Sequence, residues 1–400
     1  MAVFRALRYR NFRLFFFGQS VSLVGTWMQQ IAMGWLVYRL THSPFMMGLV
    51  AFAGQVPILV VAPFTGVFTD RWHDRRRIIV ATQALMMAQA LLLAFLIFTG
   101  NTAVPLLIAL SLFLGVVSAF DIPARQSFLS EMVDKKEDLG NAIALHAAVF
   151  NGARLVGPVL AGLLIAIGGE ALCFFLNGAS YIAVIAALLA MRIDLRAKNR
   201  EGLDLWKDFK EGLTYVWHAK PIADSLALMA LVAVVGMPYM LLMPVFVRET
   251  LGGDARALGY LVGASGCGAL LGGFFMASRH DVPLFPRYIA GATGLFGAAL
   301  VFFSMSRSFA AACALMFVVG VGMIVQMVST NTLVQTIVPD DKRGRVMSLY
   351  AVALLGMAPL GSLWAGSLSQ QIGVPRTLAL GGGLSIAAAA YYWKRRKGSS

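Results

Sequence analysis

Two ionisable side chains lie inside otherwise apolar stretches, and they are where this sequence could do chemistry. Asp121 sits about one turn before the end of the run 103–124, and Arg154 lies 13 residues into the run 141–168. A carboxylate there either pairs with a base or binds a proton, and it can do both in turn as the pair opens and closes. An arginine at that depth needs a carboxylate, carbonyls or an anionic substrate group, or else ties two helices together. A third acid, Asp224, stands at the entrance of the run 221–247. The chemistry these residues suggest is reversible charge neutralisation, not bond making. The five histidines (His42, His73, His146, His218, His280) fall in loops or at the ends of runs, so no catalytic cluster is expected. Cys173, Cys267 and Cys313 all fall inside apolar runs, so neither a metal nor a disulfide framework is implied. No phosphate-binding glycine loop accompanies them, which argues against ATP drive. No cofactor is expected.

The elements that must position these groups are membrane helices. The chain has 400 residues, 59% hydrophobic and 13% charged, against about 25% charged in an ordinary soluble domain. Twelve runs are long enough to span a bilayer: 12–38, 45–69, 78–99, 103–124, 141–168, 171–191, 221–247, 257–278, 287–305, 308–335, 346–371 and 375–393. If the segments alternate from an inside N-terminus, 27 of the 33 Lys and Arg fall on one side and five on the other. Basic residues are retained on the cytoplasmic side, which places both termini there and makes this a multi-pass membrane protein. The net charge of +14 is then a topology signal, and nucleic acid is not an expected partner. No signal peptide is read at the N-terminus, because MAVFRALRYRNFR leads straight into a full-length run.

The segment Gly66–Arg77, GVFTDRWHDRRR, marks the inner face between the second and third runs. Its acids, Asp70 and Asp74, stand among Arg71, Arg75, Arg76 and Arg77. Retention of basic residues explains the arginines and leaves the acids unexplained. In the first run Gln19, Ser22, Thr26 and Gln29 or Gln30 recur every three or four residues and form one stripe. Such a stripe either binds helices together or lines a water-accessible path. Ser118 shares a face with Asp121 in the fourth run. Gly157-Pro158 and Gly162 in the fifth imply a kink and a close helix contact. Met237 belongs to a methionine-rich seventh run, which suits a pliable greasy pocket, and Gln326 and Asn331 are polar positions of the tenth.

Residues 192–220 are the one long polar stretch, with apolar positions at helical spacing, and read as an amphipathic helix on the membrane surface. It divides the chain into an N-terminal bundle (1–191), a linker (192–220) and a C-terminal bundle with a basic tail (221–400). The second half repeats the first. Gly25, Gly48, Asp70 and Arg76 meet Gly236, Gly259, Asp281 and Arg287 at a constant offset, and Pro158 later meets Pro359. Parallel repeats of six spans are a transporter architecture, with the substrate between the halves.

The charged turn, Gly66-x-x-x-Asp70-Arg71 with its arginine cluster, resembles the loop signature of the major facilitator superfamily. Gly157-Pro158-x-x-x-Gly162 looks like the span-5 motif of its drug:proton antiporters. Residues 11–44, ARQSF (124–128), NGARLVGP (151–158) and DDKRGRVMSLY (340–350) further resemble bacterial transmembrane secretion effectors of the enterobactin-exporter kind. The resemblance covers essentially the whole chain. It implies an all-α membrane fold of twelve helices in two pseudo-symmetric six-helix bundles, with spans 1, 4, 7 and 10 lining the cavity. It also implies that Asp70 contacts the start of span 11 and that a loop arginine pairs with Asp121. The family pattern places a base where this chain has Asp74, so either Arg75 takes that role or the contact is altered. The expected function is secondary export of amphipathic small molecules by alternating access with proton antiport. A nutrient importer or an uncoupled facilitator would use the same fold. The expected partners are a small-molecule substrate, protons and the lipid bilayer.

Overall fold

The polar stripe of the first run does not interrupt its helix. In the computed structural model α1 covers Arg10–Thr41, about 48 Å at 1.5 Å per residue and longer than a hydrocarbon core about 30 Å thick. The structure describes residues 2–71, 74–133, 135–192, 205–279 and 281–397. Within these, the side chains of 2–3, 62–64, 66–71, 136, 205–209 and 340–341 are outside the description. Gly66, Asp70 and Arg71 fall on the backbone of α2 (Pro44–Arg71) but outside the described side chains.

Helix α3 (Arg75–Phe98) begins at Asp74, whose side chain accepts a hydrogen bond from the Arg77 amide at 3.2 Å. Asp74 also pairs with the Arg77 guanidinium at 2.9 Å. One of the acids among the loop arginines is therefore a helix cap, a favoured place for Asp. Helix α4 (Val104–Leu129) carries Pro123 in its last turns.

Helix α5 is continuous from Lys136 to Ala190, 55 residues. Straight, it would be about 83 Å long, which no bilayer accommodates. The break is at Gly169, with φ +73°, a region that residues with a Cβ rarely enter. Cys173 Sγ comes within 3.8 Å of the Ala161 carbonyl, twelve residues back, so the chain reverses there. The fifth and sixth runs are the two arms of this hairpin.

After the linker come α6 (Leu205–His218), α7 (Lys220–Val235) and α8 (Tyr239–Val245). Then follow α9 (Ala255–Ala277), α10 (Phe285–Met305), α11 (Phe309–Ile337), α12 (Asp340–Ala351), α13 (Ala358–Ile372) and α14 (Val374–Lys397). Short π segments, Phe246–Thr250 and Val352–Gly356, interrupt the spans that contain α8 and α13. Asp254 caps α9, and its carboxyl is held below the usual range, first by the Arg256 side chain.

Among the described residues nine helical stretches are long and apolar enough to cross a membrane. They reach the expected twelve once α5 is counted as two spans and α1 and α14 are added. The amides of α1, and the glycines and tyrosines of α14, lower their mean hydropathy without shortening them.

The chain divides into two compact units. The first comprises Met1–Leu40 and Ala53–Gly202, with a core cluster of Phe12, Phe15, Ile79, Phe128, Leu188 and Met191. The second comprises Thr41–Phe52 and Leu203–Ser400, with a cluster including Ile222, Met229, Val334, Val346 and Tyr350. Within the second unit α9 and α11 pack backbone to backbone. A Cβ at Gly268 would collide with the Phe317 carbonyl, and one at Gly320 with the Ser265 carbonyl. Small residues are how membrane helices gain contact without a hydrophobic drive between them.

Candidate functional site

Helices α3 and α4 bring the candidate site together inside the first unit. Asp121, on α4, is fully buried. Its Oδ1 accepts from the Thr82 hydroxyl at 2.8 Å and from Gln83 Nε2 at 2.9 Å, both on α3. Its Oδ2 lies 2.7 Å from Arg125 Nη2, one turn further along α4. That ion pair is not aligned as a hydrogen bond, and among the described residues Oδ2 has no hydrogen-bond donor. One oxygen is thus held by two neutral donors, while the other faces a cation with a lone pair to spare.

Of the loop arginines that the family resemblance offers Asp121 as partners, Arg71 lies outside the described side chains. Arg125 reaches Asp121 along its own helix, at the i,i+4 spacing that places two side chains side by side. Arg75 pairs instead with Glu131, just beyond the end of α4. Arg76 donates to the Met191 carbonyl at 3.0 Å.

A second polar chain crosses the same unit. Asn177 Nδ2 donates to Gln29 Oε1 at 2.6 Å, Gln29 Nε2 to Gln89 Oε1 at 3.0 Å, and Gln89 Nε2 to the Leu110 carbonyl at 3.3 Å. It links α5, α1, α3 and α4. The α1 stripe is therefore split. Gln19, Ser22 and Gln29 are buried in the unit, while Thr26 and Gln30 lie on its exposed side. Gln19 Oε1 has no hydrogen-bond partner. Gln83, Gln89, Thr82 and Asn177 were not singled out in the sequence. The available signal was amide and hydroxyl side chains in apolar helices, costly there unless paired.

Arg154 is half-buried, and its guanidinium lies 5.8 Å from the Trp27 ring centroid on α1. Gly157 lets α5 reach α1: an added Cβ there would come 2.5 Å from Trp27 Cβ and 3.0 Å from the Val24 carbonyl. Pro158 and Gly162 are buried in the same stretch. Ser118 is half-buried, one turn before Asp121.

In the second unit Gln326 is 1% exposed, and neither its Oε1 nor its Nε2 has a hydrogen-bond partner. Asn331 is half-buried and accepts from Gln335 at 2.6 Å. Met237 sits in the break Gly236–Pro238 between α7 and α8, where the Tyr239 hydroxyl meets Ser265 Oγ at 3.0 Å. Asp224 does not join these groups. It pairs with Arg395 of the basic tail at 2.6 Å. Two further pairs escaped the sequence reading: Arg39 with Glu170, at 2.7 Å, and Asp138 with Arg5, Arg8 and Tyr9.

The fold is that of major facilitator transporters. A bacterial homologue of the human lysosomal transporter Spinster superposes with a TM-score of 0.74, covering 96% of both chains at 16% identity. A transporter of the POT family superposes with a TM-score of 0.77 at 10% identity, covering 96% of this chain and 95% of its own. The sequence model of the transmembrane secretion effectors matches residues 1–397, and the chain belongs to that family. Similar proteins include the staphyloferrin A transporter of Staphylococcus aureus, 26% identical over 96% of both chains. The multidrug efflux pump Tap of Mycolicibacterium fortuitum is 29% identical over 91% of this chain and 90% of its own. Macrolide efflux protein A of Streptococcus pyogenes is 23% identical over 96% of both.

Proposed function

We propose that this protein is a secondary exporter of amphipathic small molecules, working by alternating access and exchanging its cargo for protons at Asp121. The observation that carries the reading is a fully buried carboxylate with one oxygen satisfied by Thr82 and Gln83 and the other set against Arg125. Export is favoured by relatives named for multidrug efflux and macrolide efflux. Polar and greasy positions such as Thr26, Gln30, Arg154 and Met237 fit a cargo of mixed character. The loop bias of Lys and Arg supports both termini lying in the cytoplasm of a bacterial cell. The protein transports its cargo without altering it, and needs no cofactor and no nucleic acid.

The test is flux of a lipophilic dye or a siderophore in proteoliposomes under an imposed pH gradient. Accumulation should follow the gradient and stop when a protonophore collapses it. Flux indifferent to the gradient would make the protein a facilitator. Replacing Arg154 with Ala should slow flux more than replacing it with Lys, since Lys keeps a cation near Trp27. Equal activity of the two variants removes Arg154 from transport. A reporter that fluoresces only in the cytoplasm, fused after Lys397, should be bright; a dark fusion beside a bright periplasm-competent one would reverse the topology.

A further inference from the structure

A cleft of about 800 Å³ opens in the second unit where the start of α7 meets the end of α14. Its polar lining comprises His218, Lys220, Asp224, Lys394, Arg395 and Arg396. Four permanent cations thus face one carboxylate, and Arg395 already occupies that carboxylate at 2.6 Å. Arg396 donates to the Pro221 carbonyl at 3.3 Å, which holds its guanidinium at the rim. Lys220 and Lys394 are exposed and take part in none of the described ion pairs or hydrogen bonds. Lys220 is also the first residue of α7, where the helix dipole adds positive potential.

Retention of basic residues on one membrane face explains cations at these helix ends. It does not explain their convergence on a concave opening whose single acid is already paired with Arg395. The depth of the opening is set by its walls. Helix α7 begins a stretch long and apolar enough to cross a membrane, α14 is 24 residues long, and the cleft lies at their polar ends, the level of lipid headgroups. Exposed aromatics mark the same level: Trp217 is 79% exposed on α6 and Tyr391 65% on α14. Such rings favour the headgroup region, apolar at one end and wet at the other. Beside Trp217, α6 also exposes Leu213 while burying Val216, as a helix lying along the bilayer surface would.

We propose that this cleft is a binding site for the phosphodiester headgroup of an anionic phospholipid, held by Lys220, Lys394 and Arg396 and drawn from the leaflet that borders these helix ends. Basic pockets between membrane helices are suited to such headgroups. The ligand anchors the start of α7 to the end of α14 and to the neighbouring helix α6.

The experiment uses the full chain in nanodiscs of phosphatidylcholine with increasing phosphatidylglycerol, read by retained lipid in native mass spectrometry and by the thermal midpoint. Wild type should retain phosphatidylglycerol over phosphatidylcholine by about tenfold and melt later as its fraction rises, with both effects weakening at high salt as screening requires. The double variant Lys220→Gln, Lys394→Gln should lose the preference, whereas Arg13→Gln, an exposed base on α1, should keep it. Wild type with no preference between the two lipids overturns the proposal without any variant. So does a preference unchanged in the double variant. A thermal shift of the same size from inorganic phosphate in pure phosphatidylcholine overturns the lipid as the occupant and leaves a site for free phosphate.

Discussion

Asp121→Asn is expected to abolish accumulation driven by a pH gradient while leaving the protein folded in the membrane. Asparagine keeps an oxygen in the place of Oδ1, so the donors of Thr82 and Gln83 stay satisfied. What it removes is the charge opposite Arg125 and the exchangeable proton. Gradient-driven flux should fall by about tenfold or more, the factor carried by about 1.4 kcal/mol of differential interaction. Downhill flux of a preloaded dye should persist, because the path is not blocked. Stripping one partner from a buried ion pair costs about 3–5 kcal/mol. Here the cost is smaller, because the Arg125 side chain is 21% exposed and can turn to water. The measurements are dye flux in proteoliposomes with and without the gradient, alongside a thermal melt. Gradient-driven flux at the wild-type level would return Asp121 to a purely structural tie between α3 and α4. Loss of downhill and driven flux together, with a lowered melt, would do the same.

The largest loss of stability is expected at Gly268 and Gly320, where α9 and α11 touch through their backbones. The group that an added methyl would strike is in each case a carbonyl of the facing helix, not the end of a flexible side chain. The helices must therefore move apart and surrender contact along their length. Overpacking typically costs about 1–3 kcal/mol, and a clash against backbone belongs at the upper end. Gly268→Ala and Gly320→Ala should each lower the thermal midpoint and the yield of folded protein. Gly273→Ala on the same α9 meets nothing within 4 Å and should be silent. A melt unchanged by Gly320→Ala would mean that the two helices pack less closely than described.

Much of this was legible in the sequence, and the rest was hidden for a definite reason. Length and apolarity located the spans, including the pair that α5 joins, and α6 falls within the stretch 192–220. Gly157 was expected at a close helix contact, and it faces α1. What the sequence could not supply was partner choice across helices. Spacing puts a residue on a face but does not fix how that face is rotated toward its neighbours. The α1 stripe was therefore one feature in the sequence and is two in the structure, with Gln29 turned inward to Gln89 and Asn177, and Thr26 and Gln30 turned out. Asp121 stands out in the sequence as an acid near the end of a span, and its partner Arg125, four residues on in the same helix, is the kind of choice that spacing alone does not single out. Asp74 was noticed as an oddity among bases, and its role as a cap depends on where α3 starts.

The corner at Gly169 also constrains how the chain enters the bilayer. The arms 136–168 and 170–190 share a reversal with no connecting loop, so they present no segment for the biosynthetic machinery to thread across alone. A hairpin so tight is expected to enter lipid as a unit, its helical amides satisfied within each arm. A truncation that ends inside the second arm will orphan the first, and with it the helix that carries Arg154 and Gly157.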